Sequence, residues 1–136
     1  NLTTVTGDWL VEQYFGVVRL HQQFIDYVRG LKGTYKLAIL SNAIPHFSDH
    51  WQAHGFPDWF DLLINSSQAG FAKPDPEVFA LVTDHFQVRP DECVFIDDQW
   101  KNIDAAIKLG FQTVHFQNEQ QAIAELSSLL ERESVI

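Results

Sequence analysis

An apolar run, Cys93-Val94-Phe95-Ile96, stops abruptly at two adjacent carboxylates, Asp97 and Asp98, and this junction constrains the fold more than any other feature. Directly after it, Trp100–Leu109 carries apolar residues at helical spacing, Gly110 closes the segment, and Gln112–Phe116 turns strand-like again. A strand, a helix and a second strand in so short a span form a βαβ unit, with parallel strands and a right-handed crossover. In an open α/β sheet, side chains at the carboxyl ends of strands face the crevice where ligands bind. Two neighbouring carboxylates there repel one another unless a cation or a shared proton compensates. A Mg²⁺ ion, which prefers hard oxygen ligands and sits beside substrate phosphates, is one answer. A strand end that merely caps the next helix is the other, and the pair alone does not choose between them.

The alternation continues through the rest of the chain. Tyr35–Leu40 reads as a short buried strand after Gly33, and Pro45–His54 as a helix stopped at Gly55. Leu62–Asn65 is the next strand, and Pro76–Phe86 a helix with Asp75 at its N-cap and Pro76 in first position. A last helix runs from about Glu119 to Glu131, with Ile123, Leu126, Leu129 and Leu130 on one side. At the other end, Leu10, Tyr14, Val17, Val18, Phe24, Tyr27, Val28 and Leu31 recur at helical spacing. Trp9–Leu31 is therefore expected to be helical, with a bend at Gly16 and no strand before it.

The 136 residues, 46% of them hydrophobic, suffice for one domain with a real core. A formal net charge of -9 and a pI near 4.9 argue against nonspecific binding to nucleic acid or an anionic membrane, and no lysine or arginine run offers a local exception. The apolar stretches are too short to span a bilayer, and no basic-then-apolar signal segment opens the chain. A single cysteine, Cys93, excludes an intrachain disulfide and suits a reducing, cytoplasmic setting; in its apolar run it reads as a buried structural thiol. His46, His50 and His54 share a helical face but spread too far along it to hold one ion.

Three strand ends carry distinct polar groups. Ser41 and Asn42 follow the first strand-like run, Lys73-Pro74-Asp75-Pro76 follows the second after a glycine-bearing loop, and Asp97-Asp98 follows the third. Ser41 and Asn42 have the hydroxyl and amide to bond phosphate oxygens, but equally suit a helix start. Lys73 alone is an ordinary loop lysine. Taken together and in this order, they resemble the haloacid dehalogenase-like hydrolase superfamily. Leu37–Ala43 resembles its second motif, Ala72–Phe79 its third, and Val94–Asp98 through Ala105-Ala106 and Gly110 its fourth. The Asp-Asp-x-x-x-Asn form is also similar to the subgroup holding sugar-phosphate phosphatases and the phosphatase-like domain of epoxide hydrolases.

The resemblance implies an α/β, Rossmann-like three-layer sandwich with a parallel sheet. It also implies a Mg²⁺-dependent phosphatase acting on a small phosphorylated metabolite through an aspartyl-phosphate. Asp98 would be the direct Mg²⁺ ligand, with Asp97 a second ligand or acting through a coordinated water. Lys73 and Ser41 would be catalytic, binding the transferred phosphoryl group together with Asn42. Asn102, where some members carry a further carboxylate, would stand behind the ligands. Phosphoryl transfer asks mainly for such positioning and charge neutralisation.

The family's first motif, an Asp-x-Asp ending the first strand, has no expected counterpart here. Its leading Asp is the nucleophile and its second the acid/base. Asp8, Glu12 and Asp26 all stand in helix-like surroundings. Residues 1–23 are thus expected to be a remnant of the helical cap and its return helix, and 24–136 a partial core lacking its first central strand. Two buried strand edges would then need an upstream segment of the same protein or a complementing chain. Residues 1–136 alone are expected to be inactive. A haloacid dehalogenase-type hydrolase and a noncatalytic interaction module are the alternatives.

Overall fold

The computed structural model describes residues 2–8, 11–14, 17–41, 60–66 and 70–134. Asn42, His46, His50, His54 and the helix expected over Pro45–His54 lie outside them. In chain order the elements are β1 (Thr4–Asp8), β2 (Val11–Tyr14), β3 (Val17–Leu20), α1 (Gln22–Arg29), β4 (Lys36–Ser41) and β5 (Leu62–Asn65). They continue with α2 (Pro76–Phe86), β6 (Cys93–Asp97), α3 (Trp100–Leu109), β7 (Gln112–His115) and α4 (Glu119–Ser134). Five strands form one parallel sheet in the order β5-β4-β1-β6-β7, and β2 pairs with β3 as an antiparallel ribbon.

Strand alternation builds the three layers. On β4, Leu37 and Ile39 face one side with Val94 and Ile96 of β6, packing under α1 and α4 through Phe24, Val28 and Leu126. Ala38, Leu40, Cys93 and Phe95 face the other side, under Val78, Phe79 and Val82 of α2 and Ile103 and Ala106 of α3. There Phe79 meets Phe95 edge-on at 5.0 Å and Phe111 at 5.7 Å between ring centroids, the favoured aromatic geometry. Cys93 is fully buried, which pushes its thiol up to about 12 and leaves it inert, as its apolar run suggests.

The three-layer α/β fold is as expected, but its first central strand is present. β1 pairs in parallel with β4 on one side and β6 on the other, filling the position that was expected to be vacant. The two exposed inner edges do not exist, so the physical ground for requiring a complementing segment is gone. Helical spacing was misleading for Trp9–Leu31: β2 and β3 occupy its first part, and helix begins only at Gln22. The elements described before Gln22 are accordingly the strands β1, β2 and β3, not a helical cap remnant.

Thr4 and Thr6 explain why β1 escaped notice. Both are fully buried yet polar, so the strand lacks the apolar run that marks β4 and β6. Their β-branched side chains still favour the extended backbone. Gly7 is required by close packing: a Cβ there would lie 1.8 Å from the Ile96 carbonyl oxygen, and its φ is +147°. At the close of α3, Gly110 adopts φ 101°, the left-handed turn its position predicted. Asp75 does stand at the N-cap of α2 before Pro76, although its side chain makes no capping hydrogen bond.

Candidate active site

Strand register brings the polar residues to one edge of the sheet. Asp8 ends β1 directly beside Asp97, which ends β6; Ser41 ends β4, beside Asn65 at the end of β5. The parity that puts Val5 in one core turns Asp8 to the other side, where the Lys73 ammonium stands 5.8 Å from the centre of the Phe95 ring. The loop after β5 carries Lys73 across to this point, and its side chain is almost wholly buried.

The hydrogen bonds have a clear hierarchy. Lys73 Nζ donates to Asp97 Oδ2 at 2.5 Å and to Asp8 Oδ2 at 3.5 Å. Ser41 Oγ donates to the same Asp8 oxygen at 3.1 Å. Asp97 is held further by Asn102 Nδ2, which donates to Oδ2 at 3.3 Å, and by the Gln99 backbone N–H, which donates to Oδ1 at 2.8 Å. Asp97 is thus bonded on both oxygens, with 1% of its side chain exposed. Asp8 keeps 31% of its side chain open.

Carboxylate crowding shows in the titration of the open groups. Packing around the Asp8 carboxyl raises its pKa; the Lys73 charge opposes the rise and the Asp97 charge adds to it. Asp98 is exposed, yet its carboxyl is also raised, first by desolvation, then by the charge of Asp97 and a hydrogen bond with it, and then by Asp8. Three carboxylates beside one lysine form an oxygen-rich, negatively biased edge whose donors suit a hard cation. Among the described residues no three His, Cys, Asp or Glu side chains form a ready-made cage. The donor set therefore fits an ion that takes one or two carboxylates and completes its shell with waters and substrate oxygens.

Of the residues singled out from sequence, Ser41, Lys73, Asp97 and Asn102 meet in one bonded cluster. Asp98 joins it from the exposed side, on the turn into α3: its carboxyl hydrogen-bonds with Asp97, and its backbone carbonyl accepts from His115 Nε2 at 3.0 Å. Asp8 is the member that sequence reasoning missed. Its signal was the β-branched Thr4-Val5-Thr6 run followed by Gly7-Asp8, a strand that stops at a carboxylate as Ile96-Asp97 does.

A family model for haloacid dehalogenase-like hydrolases matches residues 5–110, from β1 to the end of α3. The chain belongs to this family. A D-ribitol-5-phosphate phosphatase of Bacteroides thetaiotaomicron is 34% identical over 124 residues, covering 86% of this chain and 59% of its own length. A protein of Corynebacterium glutamicum shares the fold with a TM-score of 0.75 over 96% of both chains, at 18% identity. A family enzyme of B. thetaiotaomicron, solved with magnesium and inorganic phosphate, has a TM-score of 0.65 and 27% identity over 75% of this chain and 56% of its own. The chain thus spans little more than half the length of these two B. thetaiotaomicron proteins. Asp8 stands at the end of the first strand, and two positions on in the sequence, where the family's Asp-x-Asp motif has its second Asp, this chain has Leu10.

Proposed function

We propose that the protein is a Mg²⁺-dependent phosphatase acting on a small phosphorylated metabolite, with Asp8 as the attacking carboxylate. The observation that carries this reading is the meeting of Asp8, Ser41 and Lys73 on a single carboxylate oxygen. A phosphatase relative and a related enzyme solved with magnesium and phosphate support the choice of substrate and ion.

In this scheme an Asp8 oxygen attacks phosphorus, and the bond from phosphorus to the ester oxygen breaks with its electron pair going to that oxygen, which takes a proton from solvent water. An acyl phosphate forms on Asp8; water then attacks its phosphorus, releasing inorganic phosphate and restoring the carboxylate. Lys73 supplies fixed positive charge beside both the nucleophile and the phosphoryl oxygens, and Ser41 donates a hydrogen bond to the phosphoryl group. Asp97 holds Lys73 in place, and Asn102 holds Asp97. Asp98, with Asp8, would hold Mg²⁺, whose charge would offset that of the carboxylates and the phosphate when bound.

Asp8 removes the reason for expecting residues 1–136 to be inactive, and the noncatalytic reading loses the same support. Leu10 favours a second reading, because no carboxyl side chain stands there to protonate a departing alkoxide. A haloacid dehalogenase would use Asp8 to attack carbon, and its halide leaves without a proton. Phosphate release from a panel of sugar phosphates, and halide release from short 2-haloacids, decide between them. The phosphatase reading expects Mg²⁺-dependent phosphate release that falls by orders of magnitude in Asp98→Asn. Halide release that survives chelation would replace it.

A cytoplasmic setting forms part of the proposal. The single cysteine is buried and unpaired, and no helix among the described residues is long and apolar enough to cross a membrane.

A further inference from the structure

Four large apolar side chains stand exposed among the described residues: Phe71, Trp100, Ile107 and Leu109. Ile107 and Leu109 lie at the far end of α3, away from the strand ends. Phe71 and Trp100 instead flank the polar cluster in sequence, Phe71 just before Lys73 and Trp100 just after Asp98. Trp100 has 58% of its surface open to water. An indole left so open forgoes the burial that normally anchors a tryptophan.

Trp100 is nevertheless held in place from behind. Its ring lies 5.8 Å from the ring of His115 at 46° between planes, and His115 Nε2 donates to the Asp98 carbonyl oxygen at 3.0 Å. Register sets His115 beside Asp97 on the neighbouring strand. Indole, imidazole and the acidic turn therefore form one unit on the β7 side of the cluster. Trp100 thus presents a fixed, exposed apolar face at the start of α3, two residues beyond Asp98, and ligand sites pair such aromatic surface with a few polar groups that orient the ligand.

We propose that Trp100 is a specificity residue whose indole receives a flat, apolar part of the substrate, so that the preferred substrates are phosphate esters of aromatic or similarly planar groups. This rests on the phosphatase reading, in which the phosphate itself sits at Asp8, Ser41 and Lys73. Stacking on an indole strengthens binding of a planar group and is indifferent to a small aliphatic one.

The test compares phenyl phosphate with glycerol 3-phosphate, with Mg²⁺ present, in the wild type, Trp100→Ala and Trp100→Phe. Hydrolysis kinetics are measured in these proteins, and equilibrium binding of both esters by calorimetry in the same proteins carrying Asp8→Asn. Trp100→Ala is expected to raise KM and Kd for phenyl phosphate about fivefold, with kcat and the glycerol 3-phosphate constants unchanged and Trp100→Phe largely restoring the difference. Equal weakening of both esters, or of neither, overturns the inference while leaving a working phosphatase. If the wild type neither binds nor hydrolyses either ester, the phosphatase reading fails and this inference fails with it.

Discussion

Asp8 and Asp97 occupy paired positions at the ends of adjacent parallel strands, yet their surroundings differ sharply. Asp97 is sealed, bonded on both oxygens, and holds Lys73 at 2.5 Å. Asp8 is partly open, shares the same lysine at 3.5 Å, and has its carboxyl raised by desolvation and by its neighbour's charge. One strand-end carboxylate is saturated by the protein; the other is left under-compensated and within reach of a ligand. Environments that separate two carboxylates in this way assign them different work. Under the proposed function, Asp97 belongs to the scaffold of the site and Asp8 to its chemistry.

The largest expected effect falls on the open member. Asp8→Asn keeps the shape but removes the attacking charge, so hydrolysis should fall on the order of 10³-fold or more, as for loss of a nucleophile. Stability should hold or rise slightly, since the substitution removes a desolvated charge. Paired turnover assays and urea melts check this, and a large loss of stability would erase the distinction between the two aspartates.

Asp97→Asn should show the opposite profile. It leaves the buried Lys73 ammonium without its nearest counter-charge, which typically costs about 3 kcal/mol or more. Adding Lys73→Met should recover most of that loss, because an apolar side chain of similar length needs no partner. A destabilisation below ~1 kcal/mol in urea, or no recovery in the double variant, would show that the pair does not anchor the site.

This contrast also explains what was legible in the sequence. β6 announced itself because Val94, Phe95 and Ile96 are apolar and Asp97 interrupts them, and β4 because Leu37–Leu40 are apolar before Ser41. Ser41 and Asp97 could be named from those endings, and Lys73 from the resemblance carried by Ala72–Phe79, before any contact was known. β1 was hidden because its buried positions include two threonines and a glycine that has to be small for Ile96 to approach. Helical spacing among Leu10, Tyr14, Val17 and Val18 then drew Asp8 into the wrong element, although Tyr14, Val17 and Val18 lie in the β2–β3 ribbon. That Asp97 rather than Asp98 turns in to Lys73 was out of reach. Which of two adjacent carboxylates turns inward to the lysine depends on strand parity, and parity is set by the partner strands.

A smaller effect separates anchor from support. Asn102→Ala removes one donor to Asp97 but also a buried Oδ1 that has no hydrogen-bond partner among the described residues. The two changes partly offset, so a cost of about 1 kcal/mol is expected, well below that of Asp97→Asn. Urea melts of the two variants rank them directly, and equal losses would make Asn102 as much a keystone as Asp97.

The smallest effect sharpens the comparison through pH. The Asp8 carboxyl titrates higher in the folded chain than its ordinary 3.8. Between these values the folded state holds a proton that the unfolded state has released, so its share of stability falls as pH rises. It is fully present below 3.8 and lost by the time pH passes the folded value. Asp8→Asn deletes this dependence, so the stability difference between wild type and variant should shift against the wild type as pH climbs from about 3.8 toward neutrality. Mg²⁺ bound at Asp8 would favour the ionised carboxylate and flatten that trend, making the same titration with and without the ion a measure of whether Asp8 faces it. A difference that is constant across pH, in the absence of the ion, would mean that folding leaves the Asp8 carboxyl at its ordinary value.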